Sequence, residues 1–412
     1  MVKYLAFAAC AAKAPITQKL TRKIDDIVQT AGSAENVQRW MFWTVPQATV
    51  FANSFSQPKV LLLGGNGVGK TVIMMQRAKE LSIVGEEVVF CIGEDFGTTT
   101  KTLLHLQTEA EFEDFHTQNP QSKKIQVKSL NSYDPSKENL GKTHVFIEEI
   151  TEDKLKKIAT LQTKSCWVTV SIGTFSKEFK DANEAITYFK SLYPEWYIPF
   201  FNYILRTTQN VAKELKKPNR SVNQNNINNE SRLNKVLDVP QNIQEGPEPV
   251  AFISLPSDQF YEKVKATFTE IGQNDMALVL IDITWSPVNS LSSKTIREFK
   301  TEFANYWQFE KELEDGHTLA FLLKSISASG REPPLFWIDD CSFNSNEDQI
   351  KDWIRGKSKC DLITNFTLME GFEASTCISF SSATVYSALS RTRVKHVNFH
   401  GIGKFGKYEN ID

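Results

Sequence analysis

Residues 59–71 read KVLLLGGNGVGKT, an apolar run followed by a glycine-rich octet of the form G-x-x-x-x-G-K-[ST]. Its glycines allow the backbone to wrap a phosphate with its N–H groups, and the segment behind it carries helical spacing, which puts the positive end of a helix at the loop. Gly64, Gly65, Asn66, Gly67, Val68, Gly69, Lys70 and Thr71 are therefore expected to cradle the phosphates of ATP. Lys70 should reach the β- and γ-phosphates, and the Thr71 hydroxyl should ligate Mg²⁺. A second GKT, Gly141-Lys142-Thr143, has Ser136 where the earlier glycine is required and precedes a strand rather than a helix.

Outward from the loop, short apolar runs alternate with longer amphipathic ones. The expected strands of the front half are Lys59–Leu63, Glu87–Ile92, Ile125–Ser129, Thr143–Ile147 and Cys166–Ile172. Between the first two, Val72, Met75, Ala78 and Leu81 recur at helical spacing over Lys70–Val84. The back half repeats the pattern with Val250–Leu255, Met276–Ile281, Leu335–Ile338, Thr376–Phe380 and Val397–Phe399. Continuous apolar strands between helices imply parallel sheets covered on both faces. Residues 217–249 are rich in asparagine, seven of them between Asn219 and Asn234, and cannot bury enough apolar surface to offset their ordering entropy. The expected organisation is an N-terminal helical extension (1–37), a P-loop domain (38–216), a linker (217–249) and a second α/β domain (250–412).

The 412 residues are 41% apolar and 23% charged with a formal net charge of -2, which excludes a wholly disordered or collagen-like chain and one that coats nucleic acid by bulk charge. Six cysteines lie scattered with no CxxC pair, some inside apolar runs such as VVFCI, which fits buried thiols in a reducing compartment. His396 and His400, four apart, lack a Cys pair or carboxylate motif and read as structural. Met1–Ala14 has an apolar run of about nine residues, too short for a membrane span, and reads as a short buried helix or the start of a longer gene product. No membrane partner and an intracellular location, cytoplasm or nucleus, are the expectation.

THVFIEEI places Glu148 and Glu149 at the end of an apolar strand, about 80 residues after the loop. A P-loop ATPase needs one carboxylate in the metal shell and a neighbour to orient the attacking water. Glu148 is assigned to the metal and Glu149 to the water. Asp339 and Asp340, at the end of LFWIDD, have no phosphate loop of their own and read as a strand end.

Four further segments resemble, in order, motifs of superfamily 1 (UvrD-like) helicases, and in particular the helicase-like ATPase domain of Schlafen-type proteins. TVPQATVFANS puts Gln47 17 residues before Gly64, similar to the glutamine with which that family reads adenine. FFNYILRTTQNVAKEL resembles its L-x-x-N-Y-R-x-T element, with Arg206 in place of the phosphate-sensing arginine. LITNFTLMEGFEASTCISF resembles the G-x-E motif, Gly371 and Glu373 matching and the glutamate expected on the ribose. VYSALSRTRVKHVNF resembles A-L-(S/T)-R-A-R, where Arg391 matches the arginine finger. The resemblance implies two RecA-like P-loop NTPase domains in tandem that hold one ATP between them, with Lys70, Glu149, Arg206 and Arg391 catalytic.

The sequence also departs from that family. Its D-E-x-Q is here Glu148-Glu149-Ile150-Thr151, and its later G-D-x-x-Q is replaced by SIGTFSKEF. The long insertions that build helicase subdomains are missing, unless Thr98–Lys124 forms a reduced one. Tyr193, Trp196, Tyr197, Phe200 and Phe201 crowd the end of the front domain, and Trp285 follows a strand in the back one; core and hinge packing accounts for most of them. Two functions follow: an ATP-dependent enzyme acting on single-stranded DNA or RNA, or a nucleotide-gated interaction module that works with protein partners or flanking domains without unwinding. A small-molecule kinase ranks last because it leaves the back domain unexplained.

Overall fold

The computed structural model describes residues 45–53, 56–65, 67–93, 100–130, 140–170, 177, 179–204, 207–215, 237–239, 245–253, 257–271, 275–281, 322, 325–338, 345–369, 371–380 and 392–400. The chain divides into two compact units, Met1–Ser56 and Gln57–Asp412. The first is described by helix α1 (Val45–Asn53), on which Gln47 and Val50 are buried.

The second unit contains two six-stranded sheets, and every described strand pair is parallel. The first consists of β1 (Lys59–Gly64), β2 (Glu87–Ile92), β3 (Gln126–Ser129), β4 (Thr143–Ile150), β5 (Ser165–Val170) and β6 (Phe200–Phe201), in the order β3-β2-β4-β5-β1-β6. Its apolar runs are buried on both faces, as a parallel sheet covered by helices requires. Leu61, Leu63, Val145, Ile147 and Val168 pack on one side with Phe179 and Phe189. Phe90, Phe146 and Trp167 form a ladder of neighbouring rings, their centroids 5.8–5.9 Å apart.

Helix α2 (Lys70–Ile83) follows the glycine loop. It buries Ile73, Met74, Arg77, Ala78 and Leu81, whereas Val72 and Met75 are half-buried. Ala78 and Leu81 are thus buried as their spacing implies, whereas in the first turns the buried positions are Ile73 and Met74 instead of Val72 and Met75. The aromatic cluster at the end of the front half is mixed: Trp196 and Phe201 are buried, and Tyr193, Tyr197 and Phe200 are half-buried.

The second sheet consists of β7 (Val250–Ile253), β8 (Leu278–Ile281), β9 (Leu335–Trp337), β10 (Leu362–Asn365), β11 (Ala374–Phe380) and β12 (Thr392–His400), in the order β7-β12-β11-β8-β10-β9. The two-residue β6 and LITN of β10 are too short for a periodicity argument. Parts of the asparagine-rich segment are built into the fold. Leu237 is fully buried, Asp238 exchanges backbone hydrogen bonds with Asn202 and Ile204, and Gly246 O accepts from the Asn210 side chain at 2.9 Å.

Residues Thr98–Lys124 hold helix α3 (Leu103–Gln118), capped by the Thr102 hydroxyl, which accepts from His105 N. Although α3 connects strands of the first sheet, Leu103 and Leu106 lie in the core of the second, with Leu278, Trp337, Ile350, Trp353 and Phe372. The Trp337 indole donates to Lys101 O at 2.7 Å. Ion pairs then join α3 to helix α8 (Glu347–Ile354) and the turn behind it: Lys351 to Glu109 at 3.0 Å and Glu113 at 2.6 Å, and Arg355 to Glu113 at 2.9 Å and Asp114 at 3.0 Å. The remaining helices among the described residues are α4 (Glu152–Ile158), α5 (Ala182–Leu192), α6 (Gln209–Leu215), α7 (Ser257–Ile271) and the single turn Phe366–Met369. Among the described residues, no helix is long and apolar enough to cross a membrane.

Burial alone would raise the Glu109 carboxyl, but hydrogen bonds from His105, Lys351 and Lys101 outweigh it and hold the group well below the usual carboxylate range. A carboxylate depressed by folding stabilises the fold above its unfolded pKa, about 4.3, and that stabilisation is lost as pH falls through the folded value. Glu109→Gln is therefore expected to weaken the fold at pH 7 by about 1 kcal/mol. The deficit should narrow progressively below pH ~4.3. Unfolding of both proteins measured from pH 7 down to pH ~3.5 checks the sign.

Candidate nucleotide-binding site

The carboxyl end of β1 feeds the glycine loop, and the loop's geometry accounts for its glycines. Gly64, Gly67 and Gly69 all have positive φ (150°, 68° and 86°). A Cβ on Gly64 would also lie 2.8 Å from Phe201 O and 2.9 Å from Val68 Cγ2. Only glycine satisfies both demands. The loop ends at α2, whose first turn holds no acidic residue and whose Gly69 cap has no side chain, so its N-terminal amides are left to a ligand. Lys70 is buried and folds back over the loop, donating to Gly64 O at 3.2 Å and Gly65 O at 2.9 Å. Asn66 lies outside the described residues.

Thr71 Oγ1 donates to Glu148 Oε1 at 2.6 Å, and Glu148 is 1% exposed. A hydroxyl and a carboxylate meeting beside a phosphate loop form the hard-oxygen pair that Mg²⁺ accepts, so the residues present fit the ion.

The acidic pair sits inside β4, which runs on to Ile150, rather than at its end. The register between β4 and β5 shifts there: Ile147 faces Val168 and Ile150 faces Val170, so Glu148 and Glu149 together face Thr169. This is a β-bulge, two residues against one. Glu149 takes the strain, with φ 53°, the one non-glycine residue with positive φ among those described. Its N–H donates to Thr169 Oγ1 at 2.8 Å, and Gly93 N donates to Glu148 O at 2.7 Å from the other neighbouring strand.

The residues expected to complete the site divide into two groups. Arg206 and Arg391 lie outside the described residues, as do Trp285, Asp339 and Asp340. Gln47 lies on α1 in the first unit. Gly371 adopts φ 76°, and a Cβ there would press into the Leu104 side chain of α3. Two residues on, Glu373 Oε2 is 3.4 Å from Arg393 Nε. Arg393 O in turn accepts from Thr208 N at 2.8 Å. A Cβ on Gly67 would lie 3.7 Å from Ile204 and 3.9 Å from Thr207. Ile204 and Thr207 thus stand beside the phosphate loop, while Thr208 N binds Arg393 O and Arg393 pairs with Glu373. Thr169 and Gly93, which shape the bulge, carry no sequence signal, because a bulge is a property of strand pairing and not of local composition.

No protein family and no curated protein matches the sequence. Among solved structures, the chain is similar to the helicase Lhr of Mycobacterium smegmatis bound to ssDNA and AMP-PNP, at 11% identity and a TM-score of 0.45, covering 88% of this chain and 46% of that one. It is also similar to the DUF1998 helicase MrfA bound to DNA and AMPPNP, at 9% identity and a TM-score of 0.43, covering 93% and 51%. The chain spans about half the length of each.

Left-handed backbone costs a non-glycine residue about 1–2 kcal/mol, and glycine's extra chain entropy offsets part of that relief. Glu149→Gly is therefore expected to raise folding stability by about 0.5–1 kcal/mol while deleting the carboxylate. Chemical unfolding of the variant and the parent checks the direction.

Proposed function

We propose that this protein is an ATPase that binds Mg²⁺·ATP at the glycine loop and hydrolyses the γ-phosphate. The observation that carries this reading is the assembly at the mouth of β1: the loop, the buried Lys70 folded over it, and the Thr71–Glu148 hydrogen bond at 2.6 Å. The loop amides and Lys70 hold the phosphates, and Lys70 offsets charge developing on the γ-phosphate. Thr71 and Glu148 hold the Mg²⁺, which neutralises phosphate charge when bound. Glu149 accepts a hydrogen bond from the attacking water and orients it for in-line displacement. Arg206 and Arg391, assigned through the resemblance to UvrD-like and Schlafen-type ATPases, are the cations that complete the γ-phosphate's surroundings. Glu373 is proposed for the ribose, for which its pairing with Arg393 would have to open or be shared.

Turnover coupled to single-stranded DNA or RNA is the helicase-like form of this proposal. The second form, a nucleotide-gated module for protein partners or flanking domains, draws on the α3 ion pairs, which tie the first sheet's connection to α8. ATP affinity and turnover with and without single-stranded DNA and RNA separate the two. Stimulation of several-fold, lost in Lys70→Ala, supports the coupled enzyme; tight binding with slow turnover indifferent to nucleic acid supports the module. Failure of the parent protein to bind ATP would overturn both.

Within the same assay, Glu149→Gln is expected to retain ATP binding and to lower kcat by roughly 100-fold or more. Normal turnover in that variant removes Glu149 from the water-orienting role.

A further inference from the structure

We infer that Thr169 is a positioning residue for the attacking water, acting through the backbone of Glu149; the inference rests on the ATPase reading above. Thr169 lies in the middle of the first sheet, on β5 between β1 and β4, and is fully buried. On one side it pairs with Leu62, two residues before the phosphate loop begins. On the other it stands alone opposite Glu148 and Glu149. A bulge strips an amide of its ladder partner, and a buried amide without a partner is costly. Here the amide is that of Glu149, and the Thr169 hydroxyl accepts it at 2.8 Å.

The remainder of the clamp comes from β2. Gly93 N donates to Glu148 O at 2.7 Å, and a Cβ on Gly93 would lie 2.7 Å from that same oxygen and collide with Glu149 O. The bulged pair is thus held from both sides, by a hydroxyl on one and a missing side chain on the other. A strained backbone persists only where its surroundings over-determine it. Thr169 supplies a side-chain hydrogen bond to the strained backbone itself. Without it, the Glu149 peptide can relax toward the ordinary strand conformation, and in a pleated strand such a change re-aims the side chain. Glu148 keeps its own hold through the Thr71 hydroxyl, so nucleotide and metal binding are separable from the aim of Glu149.

Thr169→Val replaces the hydroxyl by a methyl of similar size, and Thr169→Ser keeps the hydroxyl and drops the methyl. In the full chain, Thr169→Val should lower kcat for ATP by about 10- to 100-fold, with ATP affinity within about twofold of the parent. Thr169→Ser should restore most of kcat, and Thr169→Ala serves if the valine variant folds poorly. Added to Glu149→Gln, Thr169→Val should cause no further loss, because the two act through one group. Parent-like kcat in Thr169→Val overturns the inference, as does a full additional loss on top of Glu149→Gln or a parallel loss of affinity that serine does not rescue. A parent protein that binds ATP but does not turn it over overturns the ATPase reading itself, and the inference with it.

Discussion

The second sheet depends on a helix that the first sheet supplies. A parallel sheet must be covered on both faces, and among the described residues the core that α3 joins on the second sheet also draws on α8 and a helical turn at Phe366–Met369. Leu103 and Leu106 of α3 share a core with Trp337, Trp353 and Phe372. Fully burying two leucines stabilises by about 3–6 kcal/mol, an appreciable share of a typical domain's net stability. Because α3 enters and leaves through the first sheet, the two halves share a core and are not merely tethered in sequence. The ion pairs around Lys351 and Arg355 fix the azimuth of a contact that apolar packing alone would leave free to rotate.

That shared helix reaches the candidate site. Leu104, between Leu103 and Leu106 in sequence and also buried, occupies the space a side chain at Gly371 would need, so the turn leading to Glu373 is shaped by α3. The glycine of the G-x-E pattern therefore has a packing reason that is independent of any ligand. On the other side of the site the constraints are also backbone ones: positive φ at three loop glycines, a bulge at the acidic pair, and a close approach at Gly93. The candidate side chains are ordinary residue types, and what is specialised is the backbone that carries them.

This explains what could be read from the sequence. β1, β2 and β5 were legible because buried parallel strands are written as continuous apolar runs, and the glycine loop was legible because its φ angles exclude other residues. β6 has two residues and β10 has four, too few to show a period. The bulge was invisible, since THVFIEEI reads as a strand that simply ends at its charges; whether it continues to Ile150 is decided by pairing with β5. Helix α3 was the hardest case. It buries Leu103, Leu104, Leu106, Ala110 and Phe112 in contact with more than one partner, so no single stripe marks its face. The structure also assigns Leu237 and Asp238 to the fold although the surrounding asparagine-rich composition reads as a linker, because one buried leucine and two backbone hydrogen bonds suffice to dock so short a stretch.

The departure at Thr151 has a structural account of its own. With φ -80° and ψ 166°, Thr151 occupies the cap position of α4, directly after β4 ends at Ile150, and Glu152 and Asp153 follow in the first turn. The Thr151 hydroxyl makes no cap hydrogen bond; its extended backbone starts the helix, and the acidic residues of the first turn suit the positive dipole end. The described residues also link the surroundings of the loop to β12. The link runs from Gly67 past Thr207 to Thr208, whose amide binds Arg393 O, and from Arg393 to Glu373.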